Sequence, residues 1–181
     1  MSRLGRGSWI RAASAAIGER GVEGVKVEVL AKALGVSKGS FYWHFENRAA
    51  LLTAVLTAWE EAGTSAIIDD VEQHASEPRD KLWRLIQRVF HTDLPFGNFE
   101  LQVRAWAQSD PEAEAVVRRV DRRRLAYVRD RLREAGVPAD EAKRRAELMY
   151  RTLVGEMGLR AYGSKRLPEA SLRFLWDAIL R

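Results

Sequence analysis

Residues 30–52 read LAKALGVSKGSFYWHFENRAALL, and Gly35, Ser37, Gly39, Tyr42, Trp43 and His44 crowd into ten of them. Val27, Leu30, Ala31 and Leu34 recur at helical spacing, so a short helix over 27–34 is expected to end at Gly35, the residue type best suited to a left-handed turn. Val36 plugs that turn. Ser37 is placed to cap a third helix of under two turns, Lys38 to Phe45, in which Phe41 and Phe45 stand four apart and can dock on the helices before it. With these two as anchors, Lys38, Ser40, Tyr42, Trp43 and His44 project from the free sides. An aromatic packing cluster is the competing reading, but four aromatics in five residues cannot all face one core from a single helix.

Helix, tight glycine turn, helix is the helix-turn-helix layout. The amino end of its second helix enters the major groove, where Lys and Ser hydrogen-bond base edges while Tyr, Trp and His reach the sugar-phosphate wall. Gly39 leaves its backbone bare, which permits closer approach and weakens the helix by about 1 kcal/mol relative to alanine.

Outward from this stretch the chain reads as helix throughout. Ser8 is expected to cap a first helix with Ile10, Ala13 and Ile17 on one face and Gly21 as its stop. Asn47 can cap a helix carrying Leu51, Leu52, Val55, Leu56 and Trp59 that runs past residue 60. Prolines and glycines then separate helices near 79–93, 97–108, 112–135, 139–162 and 168–180, and no strand pattern competes. The fold class is all-α.

The bulk numbers narrow the function. At 181 residues, 46% hydrophobic and 30% charged, the composition is that of a soluble globular protein. No apolar run approaches the roughly 20 residues of a membrane helix, so a cytoplasmic protein with no membrane partner is expected. Zero cysteines exclude disulfides, thiolate metal sites and cysteine nucleophiles. Residues 1–48 hold eight Lys/Arg against four Asp/Glu, so most of the formal net charge of +5 sits at the amino end. A localised basic face suits a polyanion, since each neutralised phosphate releases counterions; a merely solvated face is the alternative. The run RRVDRRR at 118–124 reads as a solvated helix face. No nucleophile with a base, carboxylate pair, metal-spaced histidines or phosphate-cradling loop stands out, so no enzyme, metal or cofactor is expected.

From the helix-one alanines through Gly21, Leu30-Ala31, "LGVS", "FYWHF" and Leu51, residues 10–52 closely resemble the DNA-binding domain of the TetR family of bacterial transcriptional repressors. The resemblance implies an all-helical homodimer with a three-helix helix-turn-helix head, residues 1–48, and a six-helix ligand-binding and dimerisation body, residues 49–181. It further implies that Lys38, Gly39 and Ser40 meet base edges, with Ser37 beside them, and that Tyr42, Trp43, His44 and Arg48 meet the DNA backbone. Two positions depart from the family pattern. Lys26 stands where Thr or Ser often caps the second helix, and reads as an extra phosphate contact with a weaker cap. Arg48 stands where a Lys usually meets phosphate, and reads as a phosphate ligand of changed geometry.

Two apolar stripes mark the carboxyl end. Leu153 and Met157 follow Ala142, Ala146 and Met149 at helical spacing, and Leu172, Leu175, Trp176 and Ile179 do so after Pro168, so these two stripes are expected to form a symmetric dimer interface. Phe90, Phe99, Trp106, Met149 and Tyr150 are candidates to line a ligand pocket, with Arg104 as a possible anchor, although its spacing from Glu100 fits an intrahelical pair. Most of these residues are equally at home in a simple core. The function expected is a repressor that binds a palindromic operator in double-stranded DNA and is released by a small apolar or aromatic ligand. A DNA-binding or architectural regulator that does not switch is the alternative.

Overall fold

The computed structural model describes residues 5–91 and 97–180, and the described residues form helices and short connections without strands. In chain order the helices are α1 (Arg6–Arg20), α2 (Val27–Leu34), α3 (Gly39–Tyr42), α4 (Arg48–Glu60), α5 (Ala66–His74), α6 (Pro78–Ile86), α7 (Gly97–Trp106), α8 (Pro111–Glu134), α9 (Ala139–Ala161) and α10 (Glu169–Leu180). A π turn at Glu61–Ser65 joins α4 to α5, and another at Gln87–His91 extends α6. Counted as continuous helical paths, the described helices are three and then six, the all-α plan expected. The expected end of the 79–93 helix, at residues 92 and 93, lies outside the described residues.

Contacts divide the chain into two compact units: residues up to Ala62 with Asn98–Val117, and Gly63–Gly97 with Arg118–Arg181. In the first unit, α1 buries Trp9, Ala13, Ala16 and Ile17 along one stripe. Trp9, rather than Ile10, is fully buried there. The helix starts two residues before Ser8, with Gly5 at the cap position, and the Ser8 hydroxyl instead accepts a hydrogen bond from Arg11 at 3.2 Å. Gly21, at φ 69°, ends α1 by donating its N–H to the Ile17 carbonyl at 2.8 Å. The chain then turns through Val22–Gly24 against the back of α1, where a Cβ on Gly24 would stand 3.0 Å from the Ala16 carbonyl oxygen. Glycine is required there by close approach.

The cap expected at Asn47 is present: its side chain accepts from the Ala50 N–H at 2.9 Å and starts α4. α4 packs on α1 and buries Leu51, Leu52, Val55, Leu56 and Trp59. α7 adds Phe99, Val103 and Trp106 to the buried residues of this unit. Glu100, only 2% exposed, accepts from the Trp59 indole N–H at 2.8 Å and from Arg104 at 2.9 and 3.1 Å. A buried carboxylate without such donors would be costly; with them it fixes α7 beside α4.

The second unit has its own core, in which Val71, Leu82, Ile86, Leu132, Ala142, Leu172 and Ile179 are fully buried. At the π turn the widened backbone is met by arginines of α8. Arg124 donates to the Gly63 carbonyl at 3.0 Å and the Thr64 hydroxyl at 2.9 Å, and Arg123 donates to the Ser65 hydroxyl at 2.8 Å. The run 118–124 is therefore not a purely solvated face, because two of its arginines satisfy polar groups of a partly buried turn. Glu72 on α5 collects Lys81 at 2.5 Å, the Tyr127 hydroxyl at 2.7 Å and Arg131 at 2.8 Å.

The carboxyl-terminal stripes require a correction. Leu153, Met157, Leu172 and Ile179 are buried in the core of the single chain, while Leu175 and Trp176 pack half-buried against it. Trp176 meets Trp83 edge-on, with ring centroids 5.4 Å apart. The uncovered apolar side chains are others: Leu148, Leu159 and Tyr162 on or just past α9, and Phe174 on α10, the last two 92% and 78% exposed. Gly155 lies between Leu148 and Leu159, and a Cβ there would meet nothing within 4 Å. Each helix carries two apolar faces, and periodicity alone does not say which faces inward.

Candidate nucleic-acid interface

α2 ends as its sequence requires. Gly35 adopts the left-handed conformation, φ 68° and ψ 31°, while its N–H and that of Val36 bond back to Lys32 and Ala31 at 3.2 and 3.0 Å. The chain reverses within two residues and α3 begins. Ser37 does not cap it through its hydroxyl; its backbone carbonyl accepts from the Ser40 N–H at 3.0 Å. α3 is also shorter than expected, with helical hydrogen bonding giving way to a turn over Trp43 and His44. Phe41, fully buried, anchors it by an edge contact to Trp9 at 5.2 Å and a stacked contact to Phe45 at 5.6 Å. These two phenylalanines act as the spacing predicted.

With its anchors inside, α3 leaves its other side chains uncovered. Trp43 is 88% exposed and Tyr42 56%, values a core role does not allow. Ser37, Lys38 and Gly39 are exposed at the helix start, and Ser40 and His44 are half-buried. Lys26, at the cap position of α2, is exposed and makes no side-chain cap bond, as its replacement of a hydroxyl residue predicted. The aromatic packing reading fails at Tyr42 and Trp43.

Arg48 is placed differently from the expectation. Its side chain folds back so that Nε donates to the Val25 carbonyl and Nη2 to the Val22 carbonyl, both at 2.7 Å. It therefore ties the start of α4 to the turn that leads into α2. Sequence reading also missed Glu28, whose carboxylate meets the Lys38 ammonium at 2.5 Å across the α2–α3 angle. The hydrogen bond from Lys38 holds the Glu28 carboxyl below its usual range and, reciprocally, raises the Lys38 ammonium. An acid in a helix's first turn reads as dipole compensation, and a pair ten residues apart has no helical period to betray it.

The six pocket candidates are divided between the two units. Phe90 and Met149 lie in the core of the second unit, where the Tyr150 hydroxyl donates to Asp121 at 2.6 Å. Phe99, Arg104 and Trp106 belong to the first unit, with Arg104 held by Glu100. Among the described residues no helix is long and apolar enough to cross a membrane.

Residues 10–55 match the family model of bacterial regulatory proteins, tetR family. The tetracycline repressor protein class A from transposon 1721 of Escherichia coli is 34% identical over 84 residues, which are 46% of this chain and 35% of that protein. The HTH-type transcriptional regulator TtgR of Pseudomonas putida is 30% identical over 86 residues, 48% of this chain and 41% of that protein. The matched segments thus span less than half the length of these curated relatives. A TetR transcriptional regulator from Legionella pneumophila superposes with a TM-score of 0.77 at 18% identity, covering 99% of this chain and 97% of that one, which shows a shared fold.

Proposed function

We propose that this chain, whose residues 10–55 are a helix-turn-helix segment of the TetR family, is a DNA-binding transcriptional repressor. It binds a palindromic operator as a homodimer and leaves it when a small apolar or aromatic ligand binds. The observation that carries this reading is the bare face of α3: Tyr42 at its end is exposed, as are Lys38 just before it and Trp43 just after it, on a four-residue helix anchored by a buried Phe41. Exposed aromatic and cationic groups on one rigid element suit a sugar-phosphate wall, and the helix start beside them suits base edges.

In this reading residues 1–48 read DNA and residues 49–181 bind ligand and dimerise. Lys38, Gly39 and Ser40 meet bases, with Ser37 beside them; Lys26, Tyr42, Trp43 and His44 meet the backbone. Arg48 acts through the turn it holds. The second copy covers Leu148, Leu159, Tyr162 and Phe174, a patch that a monomer seldom leaves open. Phe90 and Met149 offer an apolar lining for the ligand. Ligand binding favours a body in which the helix begun at Asn47 carries the two α3 helices off the ~34 Å spacing of successive major grooves. The protein works in the bacterial cytoplasm, on the nucleoid when operator-bound. A regulator that does not switch is the second reading, favoured by the tie between Arg104 and Glu100, the intrahelical pair that its spacing predicted.

The test is selection of bound duplexes from a random pool, repeated with a panel of apolar and aromatic ligands. Enrichment of a palindrome is expected, with at least one ligand lowering affinity for it by about 5- to 150-fold. Enrichment that no ligand disturbs supports the non-switching regulator. No enrichment contradicts both readings.

A further inference from the structure

The Glu28–Lys38 pair joins the first turn of α2 to the residue that opens α3, so it sits where both helices of the helix-turn-helix begin. Both side chains are more than half exposed, and they line one open groove with Lys26, Tyr42 and Arg48 and two further carboxylates, Glu23 and Glu46. A solvent-exposed ion pair adds little to stability. On a surface meant for phosphates, moreover, a carboxylate is a liability unless it meets a donor. The major-groove edge of a G·C pair supplies one: the cytosine N4 amino group donates, and guanine O6 beside it accepts. Carboxylate and ammonium held side by side are the complement of that edge.

We propose that Glu28 is a specificity-determining residue that reads a G·C pair together with Lys38. The Glu28 carboxylate accepts from cytosine N4, and the Lys38 ammonium donates to guanine O6 and N7. Their mutual ion pair fixes the order of acceptor and donor, so the reversed C·G pair meets carboxylate with carbonyl and ammonium with amino group. An A·T pair in place of G·C keeps N7 but sets an amino group where Lys38 needs O6, and thymine O4 where the carboxylate needs a donor. This inference rests on the DNA-binding reading above and extends it to a residue of negative charge.

The experiment is random-pool selection with the wild-type chain, Glu28→Ala and Glu28→Gln, each checked by thermal melting, with affinity for a nonspecific duplex measured alongside. The wild type is expected to enrich one G·C pair at symmetric positions in each half-site. Glu28→Ala is expected to lose discrimination there, by roughly 5- to 150-fold, with the other positions unchanged. Glu28→Gln should shift the preference toward adenine, whose N7 and N6 a carboxamide matches. Should Glu28→Ala fail to fold, Glu28→Gln decides alone. If both variants enrich the wild-type sequence and merely bind all DNA more tightly, Glu28 only restrains Lys38 and the proposal is overturned. If the wild type itself enriches nothing, the DNA-binding reading has failed instead.

Discussion

At Arg48 two roles for one cation separate cleanly. A guanidinium on phosphate adds to the salt dependence of DNA affinity; one that donates to the Val22 and Val25 carbonyls adds to the stability of the turn that leads into α2. Hydrogen bonds from charged donors contribute about 1.5–3 kcal/mol. Arg48→Ala is therefore expected to lower unfolding stability by about that amount in denaturant titrations. The slope of log affinity against log salt should stay unchanged. A slope smaller by about 1, with stability intact, would return Arg48 to the phosphate backbone. Gly39 and Gly24 differ in a similar way. A Cβ on Gly39 would find only the Ser37 hydroxyl oxygen, at 3.7 Å, so the fold has room for it; Gly24 is the glycine that packing requires.

Among the elements, α5 carries the clearest titration. Burial pushes the Glu72 carboxyl up, but hydrogen bonds from Lys81, Tyr127 and Arg131 outweigh it and hold the carboxyl at about 2, against an ordinary 4.5. Between those values the unfolded chain binds more protons, so stability rises with pH there. The contribution is complete above pH 4.5 and is lost as pH falls toward 2. Denaturant titrations should find the stability gap between wild type and Glu72→Gln narrower at pH 3 than at pH 6. A gap that does not change would mean that Glu72 is not the group held low. Cross-element pairs of this kind were invisible in the sequence, as was Glu28 with Lys38, because nothing periodic links their positions. What period and punctuation do encode was legible: Gly21 and Gly35 as stops, Asn47 as a cap, Phe41 and Phe45 as anchors, Tyr42 and Trp43 as exposed. Ser8 misled because a hydroxyl before an apolar run fits an inner turn as well as a cap, and Ser37 because α3 starts one residue later, with Lys38 at the cap position. The π turns left no mark, since a widened turn keeps the helical composition on either side.

At the scale of the whole molecule, the proposed dimer rests on the uncovered apolar side chains of α9 and α10. Phe174→Glu or Leu159→Glu is expected to give a folded monomer, because both side chains point away from the protomer's core. Leu172→Glu, at a fully buried position, should unfold the chain instead. Sedimentation of the wild type as a folded monomer at micromolar concentration would remove the dimer, and with it the reason for a palindromic site. The central claim is that two copies of α3 read DNA from one dimer. Its most direct test is a chemical footprint of the wild-type protein on the duplex selected from the random pool. The account predicts two protected major-groove faces, related by a twofold axis and spaced by ~34 Å or a multiple of it, with protection lost in Lys38→Met. A single protected patch, or protection that survives loss of Lys38, would contradict it.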